Sequence, residues 1–304
     1  MRHARQTAYF KASRITAFLG FILLLNACSQ VVTTVANLPS QFHDIQVHQD
    51  LAYGEAVHQR LDVYIPSTKP SEHSTLPVVV FFFGGSWNSG DKSMYRFIAD
   101  RFAQQGYITV IPNYALYPEH QFPSFVEDSA AAIAWTAKEI HRFGGDSSTL
   151  FLVGHSAGAY NAALVSSDPQ YLAAHGYQAS ALITAVAGLA GPYDFEPNTA
   201  ELEAIFAPAQ PKSTMKVSHF IKGNEPPMLL LWGEQDELVG RRNIDRLEAK
   251  INENNGKVQV ITYPSLDHIG LISDWMWMTR SSGKVVDDVM QFLRQQRQHE
   301  MTPK

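Results

Sequence analysis

An α/β architecture, a mostly parallel sheet with helices on both faces, is what this 304-residue sequence predicts. Three observations carry that expectation. Several short runs are apolar at every position, the pattern of strands buried on both faces. Between them lie segments whose apolar residues recur three and four apart, the stripe of an amphipathic helix. No glycine-, serine- or proline-rich linker breaks the alternation, so residues 44–300 are expected to form one domain.

The elements follow in chain order. IQVHQDLAY and QRLDVYIP alternate apolar with polar residues around GEAVH, which predicts an antiparallel pair. LPVVVFFF is a continuous apolar run and reads as a buried strand. Met94, Phe97, Ile98 and Phe102 then share a helical face ending at Gly106, and YITVIPNY is the next buried strand. FPSFVEDSAAAIAWTAKEI opens with Pro and Ser and lays Val126, Ala130, Ile133, Ala134 and Ala137 along one stripe. TLFLVG is strand again, followed by the small-residue helix SAGAYNAALVSS. ALITAVAGLAG and PPMLLLWG supply further strands, with helix NIDRLEAKINENN between the latter and VQVITYP. KVVDDVMQFLRQQ ends the domain with Val286, Val289, Met290 and Leu293 at helical spacing. Residues 191–226 carry two weak helical patterns, room for a small cap at most.

The first 27 residues stand apart. Arg2, Arg5, Lys11 and Arg14 precede an eleven-residue apolar run, ITAFLGFILLL (15–25). That is shorter than the roughly 20 residues of a spanning helix and fits a secretion signal, with an uncut anchor helix as the alternative. LNAC (25–28) resembles the lipobox of bacterial lipoprotein signals, and Cys28 is the single cysteine of the chain. The resemblance implies cleavage after residue 27 and diacylglycerol on Cys28, with 28–43 as a tether. Ser29, rather than aspartate, follows, which points to the outer membrane; a periplasmic or secreted protein is the alternative. Losing four of 24 basic residues and none of 29 acidic ones leaves a net charge of −9, which argues against nucleic acid as a partner. One cysteine permits no internal disulfide.

Chemistry concentrates in LFLVGHSAGAY. Gly154, His155, Ser156, Ala157 and Gly158 fit G-x-S-x-G between a strand and a helix, where a nucleophilic serine sits on a tight turn that requires small neighbours. A serine hydroxyl needs a base, and the base an orienting acid. LLLWGEQDELV presents Asp236 just past an apolar strand, and VQVITYPSLDHIG presents His268 past the next, completing the order Ser156, Asp236, His268. Asp194 in GPYDF is the rival acid; Glu234 and Glu237 read as solvated carboxylates and Asp267 as a surface neighbour of the base. His155 reads as a packed, hydrogen-bonded residue. No histidine or cysteine spacing suggests a metal site, and no cofactor is expected. Acyl transfer also needs donors for an oxyanion. Ala157 N–H is one, and FFFGGSW (81–87) offers glycines where backbone must approach substrate.

These motifs, with NYALYPEHQFP, FGGD and GPYDF, resemble the α/β-hydrolase fold, and within it small esterases of the carboxylesterase, feruloyl/acetyl-xylan esterase and kynurenine formamidase type. The resemblance implies a serine hydrolase acting on carboxylic esters through an acyl-enzyme, on small or polymer-borne substrates. It also implies that the N–H groups of Gly85 and Ser86 join Ala157 in the oxyanion hole. Phe83 stands where that family usually has histidine. Formamide hydrolysis by the same residues, and a non-catalytic binding lipoprotein on the same fold, are the competing expectations.

Overall fold

Strands apolar at every position cannot face water on either side, and the sheet order shows how they avoid it. The computed structural model describes Asn37 and residues 45–67, 74–277 and 284–301. Among these, β1 (Ile45–Ala52), β2 (Arg60–Pro66), β3 (Leu76–Phe82), β4 (Ile108–Pro112), β5 (Gly145–His155), β6 (Ala185–Leu189), β7 (Met228–Gly233) and β8 (Val258–Tyr263) form one sheet. Its order is β1-β2-β4-β3-β5-β6-β7-β8. The β1–β2 and β2–β4 pairs are antiparallel and every later pair is parallel. β3 and β4 are buried at every position, whereas β1 and β8, at the edges, are half-exposed.

The helices are α1 (Arg96–Ala103), α2 (Ser124–Glu139), α3 (Ala157–Ser167), α4 (Ala200–Ile205), α5 (Arg242–Glu253), α6 (His268–Ser273) and α7 (Lys284–Met301), with shorter turns between them. The stripe expected to begin at Met94 starts as a 3₁₀ turn, Lys92–Tyr95, capped by Asp91, and becomes α-helical at Arg96. Val126, Ala130 and Ile133 of α2 are fully buried, as their spacing predicts. Residues 191–226 hold only α4 and two 3₁₀ turns, Lys212–Met215 and Val217–Phe220. No large lid is present among the described residues.

Two features tie the early chain down. Lys92 is buried, yet its Nζ lies 2.8 Å from Asp50 and 2.6 Å from Asp62, which offsets the loss of hydration. Asp50 itself sits at φ +56, where β1 and β2 shift register. Asn37 falls in the segment expected as a tether, but it is docked: its Oδ1 accepts from Phe97 N–H at 2.9 Å and its Nδ2 donates to Ser93 O at 3.3 Å. It satisfies a free donor at the start of α1, a cap of the kind worth about 1 kcal/mol. The signal (1–27) and Cys28 lie outside the described residues.

Strand order also fixes where a site can form. From β3 the chain runs through α1 to β4 on one side, then through α2 to β5 on the other. Loops leaving the carboxyl ends of β3 and β5 therefore diverge and open a crevice, the switch point at which parallel sheets bind ligands.

Candidate active site

Ser156 is the single residue between β5 and α3, at φ 53 and ψ −120. A non-glycine residue held there costs on the order of 1–3 kcal/mol and persists only where its surroundings impose it. The flanking glycines are such an imposition. A Cβ on Gly154 would fall 2.5 Å from the backbone of Gly158, and one on Gly158 would fall 2.1 Å from Phe82 O. Strand and helix approach too closely for any side chain. Ser156 N–H donates to Leu189 O at 2.8 Å, fastening the elbow to β6.

The loop after β3 meets this elbow. Phe83 is fully buried, stacked on Tyr114 (4.5 Å between centroids) and Tyr95 (5.5 Å), while Tyr114 Oη donates to Phe83 O at 2.7 Å. The aromatic stack explains why phenylalanine serves at this position: it holds the loop by packing. Gly84 presses on Ser156, since a Cβ there would lie 3.0 Å from Ser156 Cβ. Gly85, Ser86 and Trp87 then have φ of +136, +50 and +58. Gly85 O accepts from Asn88 N–H and Ser89 N–H, each at 3.0 Å, closing a tight turn. The N–H groups of Gly85 and Ser86 donate to no backbone carbonyl among the described residues. Successive N–H groups in such a turn form an anion-binding concavity.

Trp87 anchors the far end of the loop. Its Nε1 donates to Asn161 Oδ1 at 3.0 Å, and its ring packs against Phe125, Tyr160, Phe195 and Phe206. Ser86 between them is exposed, so its hydroxyl is dispensable to a backbone donor. Ser86→Ala is expected to keep most of kcat on any ester that the wild type cleaves. Ser86→Pro would test less cleanly, because proline is locked near φ −65 and cannot adopt φ +50 without distorting the turn. Measured kcat well below wild type for Ser86→Ala would assign the hydroxyl a direct role.

The next two parallel strands deliver the other groups. Asp236 follows β7, and its carboxylate is saturated with donors: Leu238 N–H and Val239 N–H reach Oδ1 at 2.9 and 2.8 Å, and His268 Nδ1 reaches Oδ2 at 2.8 Å. Burial works to raise its pKa, but the hydrogen bond from His268 and those backbone N–H groups outweigh it and hold the carboxyl below its ordinary value. His268 opens α6, and Asp267, expected only as a surface neighbour, is the N-cap of that helix, accepting from Gly270 N–H at 2.6 Å. A carboxylate just before a short helical segment is a capping signal that was available in the sequence.

Asp194 is elsewhere. Both its carboxylate oxygens lie within 2.9 Å of Ser218 Oγ, and its N–H donates to Asn243 Oδ1, so it orders a loop. Glu234 and Glu237 are exposed. Ser156, Ala157, Ser86 and His268 line one cavity of about 340 Å³, with Asp236 behind His268. Trp87, Phe195 and Leu202 give that cavity an apolar wall, and Glu237, Arg242 and Asn243 a polar one. Among the described residues no group of histidines, cysteines and carboxylates could hold a metal ion.

Sheet order and loop placement together define an α/β-hydrolase. Within that class the chain belongs to the BD-FAE family, whose profile matches residues 61–251. It is 28% identical over 241 residues to esterase LipC of Mycobacterium tuberculosis, covering 72% of this chain and 59% of that one. To the kynurenine formamidase of Danio rerio it is 31% identical over 152 residues, 50% of this chain and 48% of the relative. The chain thus spans less than two-thirds of the length of either relative. A crystal structure that pairs esterase B from Lactobacillus rhamnosis with a tributyrin phosphonate superimposes with a TM-score of 0.77 at 18% identity, over 93% of this chain and 96% of that one. At that identity the likeness concerns the fold.

Proposed function

We propose that this protein is a serine hydrolase that cleaves carboxylic esters through an acyl-enzyme. Its main support is the cavity shared by a strained serine, a concavity of free N–H groups and a histidine bonded to a buried carboxylate. Ser156 Oγ attacks the ester carbonyl while His268 Nε2 takes its proton. Asp236 accepts Nδ1–H and so keeps Nε2 free to do this. Negative charge forming on the carbonyl oxygen falls to the N–H groups of Gly85, Ser86 and Ala157. The tetrahedral adduct collapses, the C–O bond to the alcohol breaks, and the alcohol leaves with the proton from His268. Water, deprotonated by His268, then attacks the acyl-serine, and the acid departs as Ser156 recovers its proton.

A panel of p-nitrophenyl esters of rising chain length, run beside feruloyl, acetyl-xylan and formyl-amide substrates, tests this directly. Turnover of the esters is the expected result. Cleavage of the formyl amide alone would move the reaction to amide hydrolysis with the same residues, and no turnover of any substrate would support a binding role.

We further propose that Cys28 carries lipid and anchors the protein in the bacterial envelope, at the outer membrane. The basic leader, the eleven-residue apolar run and the single cysteine directly after LNA are the support. Metabolic labelling with a palmitate analogue is expected to mark wild type but not Cys28→Ser, and only wild type to partition with membranes. Equal labelling of both would leave a plainly secreted or uncut protein.

A further inference from the structure

Between nucleophile and base lies a buried histidine to which the proposed mechanism gives no proton. His155 is the last residue of β5, next to Ser156, and only 4% exposed. Its Nε2 lies 3.0 Å from the carbonyl oxygen of His268. A carbonyl only accepts, so the proton of this ring sits on Nε2. The two imidazoles pack with centroids 4.9 Å apart. On its other edge the ring meets the glycine loop: a Cβ on Gly84 would fall 2.9 Å from His155 Nδ1. One side chain therefore adjoins the elbow, the oxyanion loop and the base. Burial, and after it the neighbouring His268, push the pKa of His155 down to about 3. The ring stays neutral and adds no second cation beside the imidazolium that forms during turnover.

We infer that His155 is a positioning residue: it fixes the main chain of His268 against the elbow, and through it the aim of the catalytic imidazole at Ser156. This rests on the hydrolase reading above. The need is physical. His268 opens a six-residue helix that follows β8, an edge strand, so strand pairing alone does not set its place relative to β5, which carries Ser156. Asp236 sets the rotation of the ring through Nδ1. The bond from His155 to the His268 carbonyl sets the backbone from which that ring hangs, and it does so from the strand that carries the nucleophile.

Three variants test it. His155→Leu removes the donor, His155→Asn keeps an amide too short to reach, and His155→Gln returns an N–H near the place of Nε2. Because a misplacement of about 1 Å can cost about 10²-fold, kcat is expected to fall by about 10- to 100-fold in the Leu and Asn variants. The rate of covalent labelling by a fluorophosphonate should fall in parallel, with KM near wild type and a lower thermal midpoint, since the His268 carbonyl loses its buried donor. His155→Gln should recover most of both rates. Wild-type kcat in His155→Asn, or a Gln variant no better than Asn, would overturn the inference, as would a loss confined to KM. Should His155→Leu not fold, the Gln and Asn pair decides. Failure of wild type itself to label would instead overturn the hydrolase reading.

Discussion

Ser156→Ala is expected to reduce ester hydrolysis to background and to abolish fluorophosphonate labelling while leaving the fold intact. The loss should be about 10⁶ in kcat, the scale seen when a triad nucleophile is removed. The fold survives because what shapes the elbow does not involve the hydroxyl. Ser156 N–H still reaches Leu189 O, Gly154 and Gly158 still permit the close approach, and alanine occupies φ 53 no less readily than serine. Circular dichroism and thermal midpoint should match wild type. Substantial turnover by this variant would remove Ser156 as the nucleophile.

Asp236→Asn should cost about 10⁴ in kcat, again without unfolding the protein. Every neighbour of this carboxylate is a donor: two backbone N–H groups on Oδ1 and the His268 ring on Oδ2. An amide has a single acceptor oxygen. If that oxygen keeps the backbone pair, its NH₂ faces His268 Nδ1 and drives the ring proton to Nε2, the atom that must accept from serine. The opposite flip sets NH₂ against the two N–H groups and leaves them unsatisfied, at about 1–3 kcal/mol. Acid sensitivity should change too. A carboxyl whose folded pKa is depressed contributes stability above its unfolded value, lost as pH falls through the folded one, and the asparagine variant lacks that contribution. Thermal midpoints against pH would show it. A mild effect here, with a crippling one in Asp194→Asn, would reassign the acid.

Much of this was legible in the sequence because it rests on local pattern. LPVVVFFF had to be a strand covered on both faces, and G-H-S-A-G between strand and helix had to be a tight turn. Ser, Asp and His in order, each just past an apolar run, arrive at neighbouring loops once the strands are parallel. What stayed hidden depends on contacts far apart in the chain. Trp87 bonds Asn161, 74 residues on, and His155 bonds the backbone of His268, 113 residues on. The stack that makes phenylalanine suitable at position 83 needs Tyr95 and Tyr114, brought together only by packing around β3. Ser86 at φ +50 and Trp87 at φ +58 violate local preference, so no propensity could have announced them.

The sheet order gives the proposed triad an uneven foundation. Ser156 hangs from β5, with β3 and β6 on either flank, whereas His268 follows β8, which has a single neighbour and a half-exposed surface. Amide protection in such a sheet decreases from the centre outward, so β8 and the turn after it belong to the least protected unit. Brief opening of that edge would carry His268, the proposed base, away while Ser156 stayed in place. Activity is therefore expected to be lost at a lower denaturant concentration than the circular-dichroism signal of the core, with the His155 bond to His268 opposing that separation.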